Sequence, residues 1–395
     1  KKLAFLICIV LGLAVISPGL ASAAPGWGYP AWQYRQKITV LNSKVPGNLS
    51  DFPVLISLTH AGLKDNAQSD GDDIIITTAD GVTQLDHEIE SYNTLTGELV
   101  AWAKAPAVSG STDTDFYIYF GNGAVGPQEN VVGTWNSSFS LVHHMKDDPD
   151  DANITDSTNN NNDGSKKASA EPAQAAGKIA KSQLFDGADD YINISDSPSL
   201  NPSSISIEAW IKPSAFDGND MFITKGSSGA GMLDFDFRTT SGTPRFGFYN
   251  GTWYSVSAGS SLTLNQWHYV VATYDGTTMK IYVDGALAGS AVIGVPLPDT
   301  ADDLRLGIYA WSSSYWFDGG VDEVRLSSAD RSADWIETSY NNQSDPAGFF
   351  DSPLAAQEVA PVPATGVNMT LLGALSLILM GSGGAIIRKR LTFRS

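Results

Sequence analysis

The sequence predicts an all-β protein made of two β-sandwich domains, and three observations carry that prediction. Apolar segments of about 5 to 8 residues recur along the chain, often alternating with polar positions, as half-buried strands do. Gly, Asn, Asp and Ser cluster between them as turn signals, with 38 glycines in 395 residues. Almost no stretch shows the three-to-four spacing of an amphipathic helix. The length suits two domains.

The first domain is expected over 24–130. Trp32 to Val40 alternates and reads as a strand, and Phe52 to Leu58 as the next. Asp72 to Thr77 leads into an Asp80-Gly81 hairpin turn. His87 to Tyr92, Leu99 to Lys104 and Phe116 to Asn122 complete the set, and only Leu63 to Gln68 looks like a helical turn. The second domain is expected over 139–332. Its strands are read at Leu184 to Ile194, Ile205 to Pro213, Phe222 to Gly226, Asn265 to Gly276 and Met279 to Ser290, then at Leu304 to Tyr309 and Phe317 to Ser332. Asp275-Gly276 and Asp284-Gly285 mark tight hairpins. Over 333–350 a short helix, capped by Ser332, is expected to lay Trp335, Ile336 and Tyr340 on the core. The Pro/Ala-rich segment 351–365 reads as a stalk.

The order WQYRQKITV, DFPVLISL, SDGDDIIIT, LDHEIESY, GELVAWAKAP and DFYIYFGN resembles the domain of unknown function 2341. That resemblance implies an exported β-sandwich module and no assigned activity. The later order FDG-DDY, AWIKP, NQWHYVVATYDG, YVDG and DEVR resembles the laminin-G-like, concanavalin A-like jelly roll. It implies two curved antiparallel sheets, a fold shared by lectins, pentraxin-like binders and some glycoside hydrolases.

The ends predict export and anchoring. Lys1 and Lys2, an apolar run from Leu3 to Ile16 and Ala21-Ser22-Ala23 read as a signal peptide over 1–23, cut by signal peptidase after Ala23. The uncharged span 367–387 is long enough to cross a bilayer, and Arg388, Lys389 and Arg390 follow it. The preceding VPATG resembles an LPxTG-type sorting signal with Val in place of Leu. The resemblance implies that a sortase cuts within 366–395's leading edge, between Thr365 and Gly366; the alternative is a plain C-terminal membrane anchor. Either places the protein at the cell surface. The one cysteine, Cys8, lies within the signal peptide, so the exported part is expected to fold without disulfides. The formal net charge is −19, and the segment between the two basic ends is more acidic still. That sign excludes nucleic acid as a partner and favours cations.

Calcium is the one cofactor the jelly-roll resemblance implies, with Asp156, Asp163 and Asp322 as ligands and the Asp186 turn (Asp186, Asp189, Asp190) as a second possibility. Asp, Asn and Gly are also what turns are made of. For ligands, the aromatic residues Trp311, Tyr315, Trp316 and Trp253 are the candidates, because sugar rings stack on aromatic faces; covering one end of the sandwich is the equal alternative. Trp210, Trp267 and Tyr282 read as core. For catalysis, Asp234 and Asp236 would share a strand face, but no glutamate follows to serve as the acid. Glu88 and Glu90 share a face in the other domain without groove context. His143 and His144 point to opposite faces of a strand, and His268 reads as a sheet histidine. No nucleophile elbow, phosphate loop or zinc-binding His/Cys spacing occurs. The expectation is a non-catalytic adhesin-like or glycan-binding surface protein with no catalytic residues. Its partner would be a glycan, the extracellular matrix or a surface polymer, with the membrane reached through the tail. A glycoside hydrolase or lyase of the same fold is the second class, and a structural surface-layer component the third.

Overall fold

A computed structural model describes residues 26–227, 231–309, 315–351, 354 and 356–361. The expected signal peptide, Trp311, Thr365, Gly366 and the expected span 367–387 lie outside these residues. Among the described residues, no helix is long and apolar enough to cross a membrane. Gly26–Ala360 forms one compact unit.

The first sandwich contains β1 (Tyr34–Val40), β2 (Phe52–Thr59), β3 (Ile75–Thr78), β4 (His87–Asn93), β5 (Glu98–Ala105) and β6 (Thr114–Phe120). Each expected strand is present, its ends shifted by at most a few residues. The helical turn is α1 (Ala61–Asn66). The second sandwich begins with β7 (Phe139–His143), β8 (Asn153–Ile154), β9 (Gly164–Lys166), β10 (Ala173–Ala176), β11 (Lys181–Asp186) and β12 (Ile192–Ile194). It continues with β13 (Ile205–Pro213), β14 (Asn219–Ser227), β15 (Met232–Thr240), β16 (Thr243–Tyr249), β17 (Trp253–Ser257) and β18 (His268–Tyr274). It ends with β19 (Thr278–Val283), β20 (Ala286–Val292), β21 (Leu304–Leu306) and β22 (Asp318–Ser327). Two eight-stranded antiparallel sheets result. One runs β10-β11-β22-β13-β18-β19-β20 with β7 beside β22, and the other runs β17-β16-β15-β14-β21-β12-β9-β8. Ile207, Ala209, Val270, Ile281 and Val324 from the first sheet meet Phe222, Phe235, Phe237, Phe246 and Leu306 from the second in one core. This is the expected all-β, two-sandwich class.

The hairpin turns follow from residue chemistry. Asp284 and Gly285 both take left-handed backbone, at φ 50° and 81°, and Val283 pairs directly with Ala286. A two-residue loop with both φ positive matches the twist of the strands it joins. Ser241 and Gly242 do the same between Thr240 and Thr243.

The two sandwiches share a core rather than meeting through a linker. Phe139, Val142, Ile179, Trp335 and Phe349 belong to the same buried cluster as Phe52, Trp102 and Ile118. The helix α2 (Ala333–Ser344) is capped by the Ser332 side chain, which accepts from the Trp335 N–H. Trp335 stacks edge-on against Phe52 at 4.9 Å, while Ile336 and Tyr340 pack with Trp210, Tyr269 and Tyr282. Asn342 acts as a missing strand partner: its Oδ1 accepts from Leu55 N–H at 2.7 Å and its Nδ2 donates to Leu55 C=O at 2.9 Å. The stalk reading of 351–365 is corrected over its first part. Glu358 and Val359 pair with Arg35 and Tyr34 of β1 as a short strand, β23 (Glu358–Val359), and Glu358 ion-pairs with Arg35.

Asn342→Ala removes both bonds and leaves a buried N–H and C=O unpaired. It should lower the unfolding free energy by about 2–4 kcal/mol. Urea denaturation checks this, and both sandwiches should still unfold in one transition.

Candidate functional site

The outer face of the second jelly-roll sheet is organised by strand alternation. In β15, Phe235 and Phe237 enter the core, so Asp236 and Arg238 face outward; a register shift between Leu233 and Asp236 takes Asp234 off that face, toward Lys225. Antiparallel partners project to the same face. The register Ser165–Asn193–Arg305–Thr224–Asp236 therefore lays a polar row across five strands. The described ends of the β21–β22 connection cross this row. Thr224 Oγ1 donates to Ile308 C=O at 2.9 Å, Met221 N–H to Tyr315 C=O at 3.2 Å and Phe317 N–H to Gly307 C=O at 3.0 Å.

Toward β9, β12 and β21 lies an open cleft of about 410 Å³. Trp316, Tyr191, Arg305, Asn193 and Ser165 are among its walls. Arg305 Nε donates to Asn193 Oδ1 at 3.2 Å, and Asn193 Nδ2 donates in turn to Asp303 at 2.8 Å, which fixes both side chains. Toward β15–β17 the surface is aromatic. Tyr315 is 46% exposed and meets Tyr309 edge-on at 5.6 Å. Tyr309 packs with Met221 and Leu233, and Tyr249 packs against that group. Trp253, 41% exposed, stacks on Tyr249 at 5.2 Å. The guanidinium groups of Arg238 and Arg245, cross-strand partners, sit 5.6 and 5.4 Å from the Trp253 ring.

Beneath this strip Asp236 is fully buried. Neither of its carboxylate oxygens has a hydrogen-bond partner; Arg238 Nη1 lies 3.3 Å away. Burial pushes its pKa up to about 7 against the pull of Arg238. Tyr309 is pushed up to about 12, first by burial and then by the charge of Asp236.

The expected ligand residues thus divide. Trp253 and Tyr315 join one aromatic strip through Tyr249 and Tyr309, and Trp316 lines the neighbouring cleft. Trp253 opens β17 directly after the loop at 250–252, and the outward alternation of that strand exposes it. Asp234 does not pair with Asp236 for catalysis, because its Oδ2 accepts from Lys225 Nζ and from both Thr300 N–H and Oγ1.

The calcium ligands expected from the jelly-roll resemblance do not converge. Asp156 accepts from Val142 N–H, Thr158 N–H and Oγ1, and Asn162 N–H. Those four donors complete its carboxylate without a metal. Asp163 accepts from Asp156 N–H. Asp322 lies apart from both on β22, facing the first sandwich and accepting from Ile179 N–H. The residues present do not fit a shared calcium. Asp186, Asp189 and Asp190 do bring one oxygen each within 4.8 Å. Yet Asp186 caps the Ala188 and Asp189 N–H groups, Asp190 caps Asp186 N–H, and Lys167 pairs with Asp189, so the turn holds itself together.

Glu88 and Glu90 correct the sequence reading, because they do have groove context. Strand alternation puts both on the buried side of β4, facing the jelly roll. His144 Nδ1 lies 2.8 Å from Glu323 Oε1 and 3.6 Å from Glu90 Oε2, and its Nε2 is 3.2 Å from Glu88 Oε2. His143 turns the other way, to the carbonyl of Asn162, as alternation requires. Arg325 pairs with Glu323 and lies 4.2 Å over Trp102 and 5.0 Å over Trp135. Burial opposes charge on Glu88, but His144 and donors from Trp135 and Ser157 hold it down at about 2. Burial and the charge of Glu323 push Glu90 up to about 7. The only hint in the sequence was the Glu-Ile-Glu alternation, which does not say what meets that face.

The fold and these surfaces define a two-sandwich protein with a jelly roll carrying one free polar-aromatic face. Residues 186–337 match the family model described as the concanavalin A-like lectin/glucanases superfamily. Residues 70–159 match that of the domain of unknown function DUF2341. The second match runs past residue 139 into β7 and its following loop, where the two sandwiches share their core. No curated protein matches the chain. Among solved structures, domain 4 of AbnA, a GH43 extracellular arabinanase from Geobacillus stearothermophilus in complex with arabinotriose, is similar at TM-score 0.44 and 19% identity. It aligns over 52% of this chain and 98% of that one. The binding domain of Paraclostridial Mosquitocidal Protein 1 is similar at 0.41 and 13%, over 52% of each chain. The binding domain of botulinum neurotoxin DC in complex with SialylT is similar at 0.40 and 14%, again over 52% of each. The chain spans about half the length of these two toxin structures. These likenesses concern general architecture and assign no residue or ligand to this chain.

Asp236 gives a pH prediction with a definite sign. Its folded pKa lies above the ordinary carboxylate value, so the folded state binds the extra proton and stability falls as pH rises from about 4 to about 7. Asp236→Asn should match the native chain near pH 4 and exceed it progressively up to about pH 8. Melting temperatures across that range check it, and a constant offset at every pH would contradict the assignment.

Proposed function

We propose that this chain is a non-catalytic, surface-displayed glycan-binding protein whose ligand lies along the outer face of the second jelly-roll sheet. The observation that carries the reading is the joining of an exposed aromatic strip, Tyr315 to Trp253, to a polar cleft walled by Trp316, Tyr191 and Arg305. Aromatic faces stack on the apolar faces of sugar rings, while Asn193, Ser165 and Arg305 offer hydrogen bonds to hydroxyls. The description of the matched family, lectins and glucanases, supports sugar polymers as the class of ligand. The engagement of Asp234 by Lys225 and Thr300 favours the binding half of that description over the hydrolytic one.

A glycan array probed with the full chain, followed by calorimetry on the best ligand, tests this. Trp316→Ala and Trp253→Ala should each weaken binding by about tenfold, the loss of one stacking contact. Absence of any glycan ligand, or unchanged affinity in both variants, would sink the proposal.

Display at the cell surface is proposed on the sequence of the two ends. Mass spectrometry of protein released from the envelope should find a C-terminus at Thr365, whereas an intact Ser395 would point to the plain membrane anchor.

A further inference from the structure

The seam between the two sandwiches holds a group of ligand-type side chains that the glycan reading does not use. Glu90 comes from β4, His144 from the residue after β7, and Glu323 from β22. One ligand atom of each lies within 4.8 Å of the others, and all three residues are buried. The backbone is shaped for this convergence. Glu323 sits in left-handed conformation at φ 50°, within a bulge of β22 opposite β13. Val321 and Val324 still enter the core, so the extra residue turns both Asp322 and Glu323 toward the first sandwich.

The seam also carries more acceptors than its donors can serve. Glu88, Glu90, Asp322 and Glu323 are buried together, faced by His144 and Arg325. Glu90 Oε1 and Asp322 Oδ1 have no hydrogen-bond partner, while His144 Nε2 faces Glu88 Oε2 at 3.2 Å. Glu90 is almost wholly buried, and its other oxygen is the one that approaches His144. Buried carboxylates in excess, with orphaned oxygens, are relieved by a cation. The surrounding groups are those that orient metal ligands. Trp102 Nε1 donates to Glu90 Oε2 at 3.0 Å, Arg325 holds the second oxygen of Glu323, and Trp135 Nε1 holds Glu88 at 2.7 Å. Two clefts reach the group from outside: one of about 260 Å³ lined by Glu88 and His144, the other of about 440 Å³ lined by Glu90.

We propose that Glu90, His144 and Glu323 form a binding site for a divalent transition-metal ion of the zinc class, joining the first sandwich to the jelly roll. One imidazole with two carboxylates is a donor set that zinc accepts and that calcium, which wants six or more oxygens, does not favour. The ion displaces the proton otherwise shared by His144 Nδ1 and Glu323, and it adds a cationic partner at Glu90 Oε2 beside the Trp102 N–H.

The test uses the full chain, stripped with chelator and then dialysed against zinc chloride, with metal content read by plasma mass spectrometry. About one zinc ion per chain is expected, with a melting temperature that falls on stripping and returns on zinc addition. Cobalt in place of zinc should give visible d–d absorption. Glu90→Gln, which keeps shape and is checked for folding by near-ultraviolet circular dichroism, should weaken zinc binding at least tenfold. His144→Gln should do the same if it folds. Asp186→Asn, at the other acidic group, should leave stoichiometry unchanged. Zinc content near zero with no thermal shift overturns the proposal, as does binding that survives Glu90→Gln or is lost in Asp186→Asn.

Discussion

Strand β22 is the constraint on which the rest of the molecule depends. It is central in the first jelly-roll sheet, between β11 and β13 with β7 beside it, and it must serve two cores at once. Val321, Val324 and Leu326 fill the jelly-roll interior, while Asp322, Glu323 and Arg325 face the first sandwich. A regular strand alternates one in and one out, and could not present two adjacent acids to the same side. The bulge at Glu323 resolves the conflict at the cost of a left-handed residue. Arg325 is then buried between Trp102 and Trp135. A charge so far from water is tolerable only when it is paired, and Glu323 together with the two indole faces supplies that pairing.

This arrangement decides which jelly-roll face is free. The outer side of the first sheet is covered by β4, β5 and α2, so its polar residues are interior groups. The outer side of the second sheet keeps an open cleft toward β9, β12 and β21 and the exposed rings of Trp253 and Tyr315. The two faces of one fold thus differ: one holds the modules together, and the other is the face on which the proposed ligand site lies.

Much of the architecture was legible because it is written locally. Asp284-Gly285 needs only two left-handed residues to turn the chain, and the strands around it alternate cleanly. The sites were less legible because they are written at long range. Glu88 and Glu90 could be placed on one face of β4, but their partner His144 comes from beyond the first sandwich, and Glu323 lies 179 residues further along than His144. The Asp156 loop misled for a different reason. Its Asp/Asn/Gly composition suits a calcium site and a self-capping turn equally, and only the positions of the Val142, Thr158 and Asn162 amides decide between them. Trp253 stands beside the loop at 250–252, and the outward parity of β17 completes its exposure.

The short pairing of β23 with β1 carries a mechanical consequence. Two residue pairs and the Arg35–Glu358 ion pair fasten the last described segment to the edge of the first sandwich. Were the chain tethered through its C-terminus as proposed, a pull on the molecule would load that edge first. The segment would peel away and lengthen the tether before tension reached the shared core. Such a give-way joint would let the ligand-bearing sheet stay folded through a transient pull.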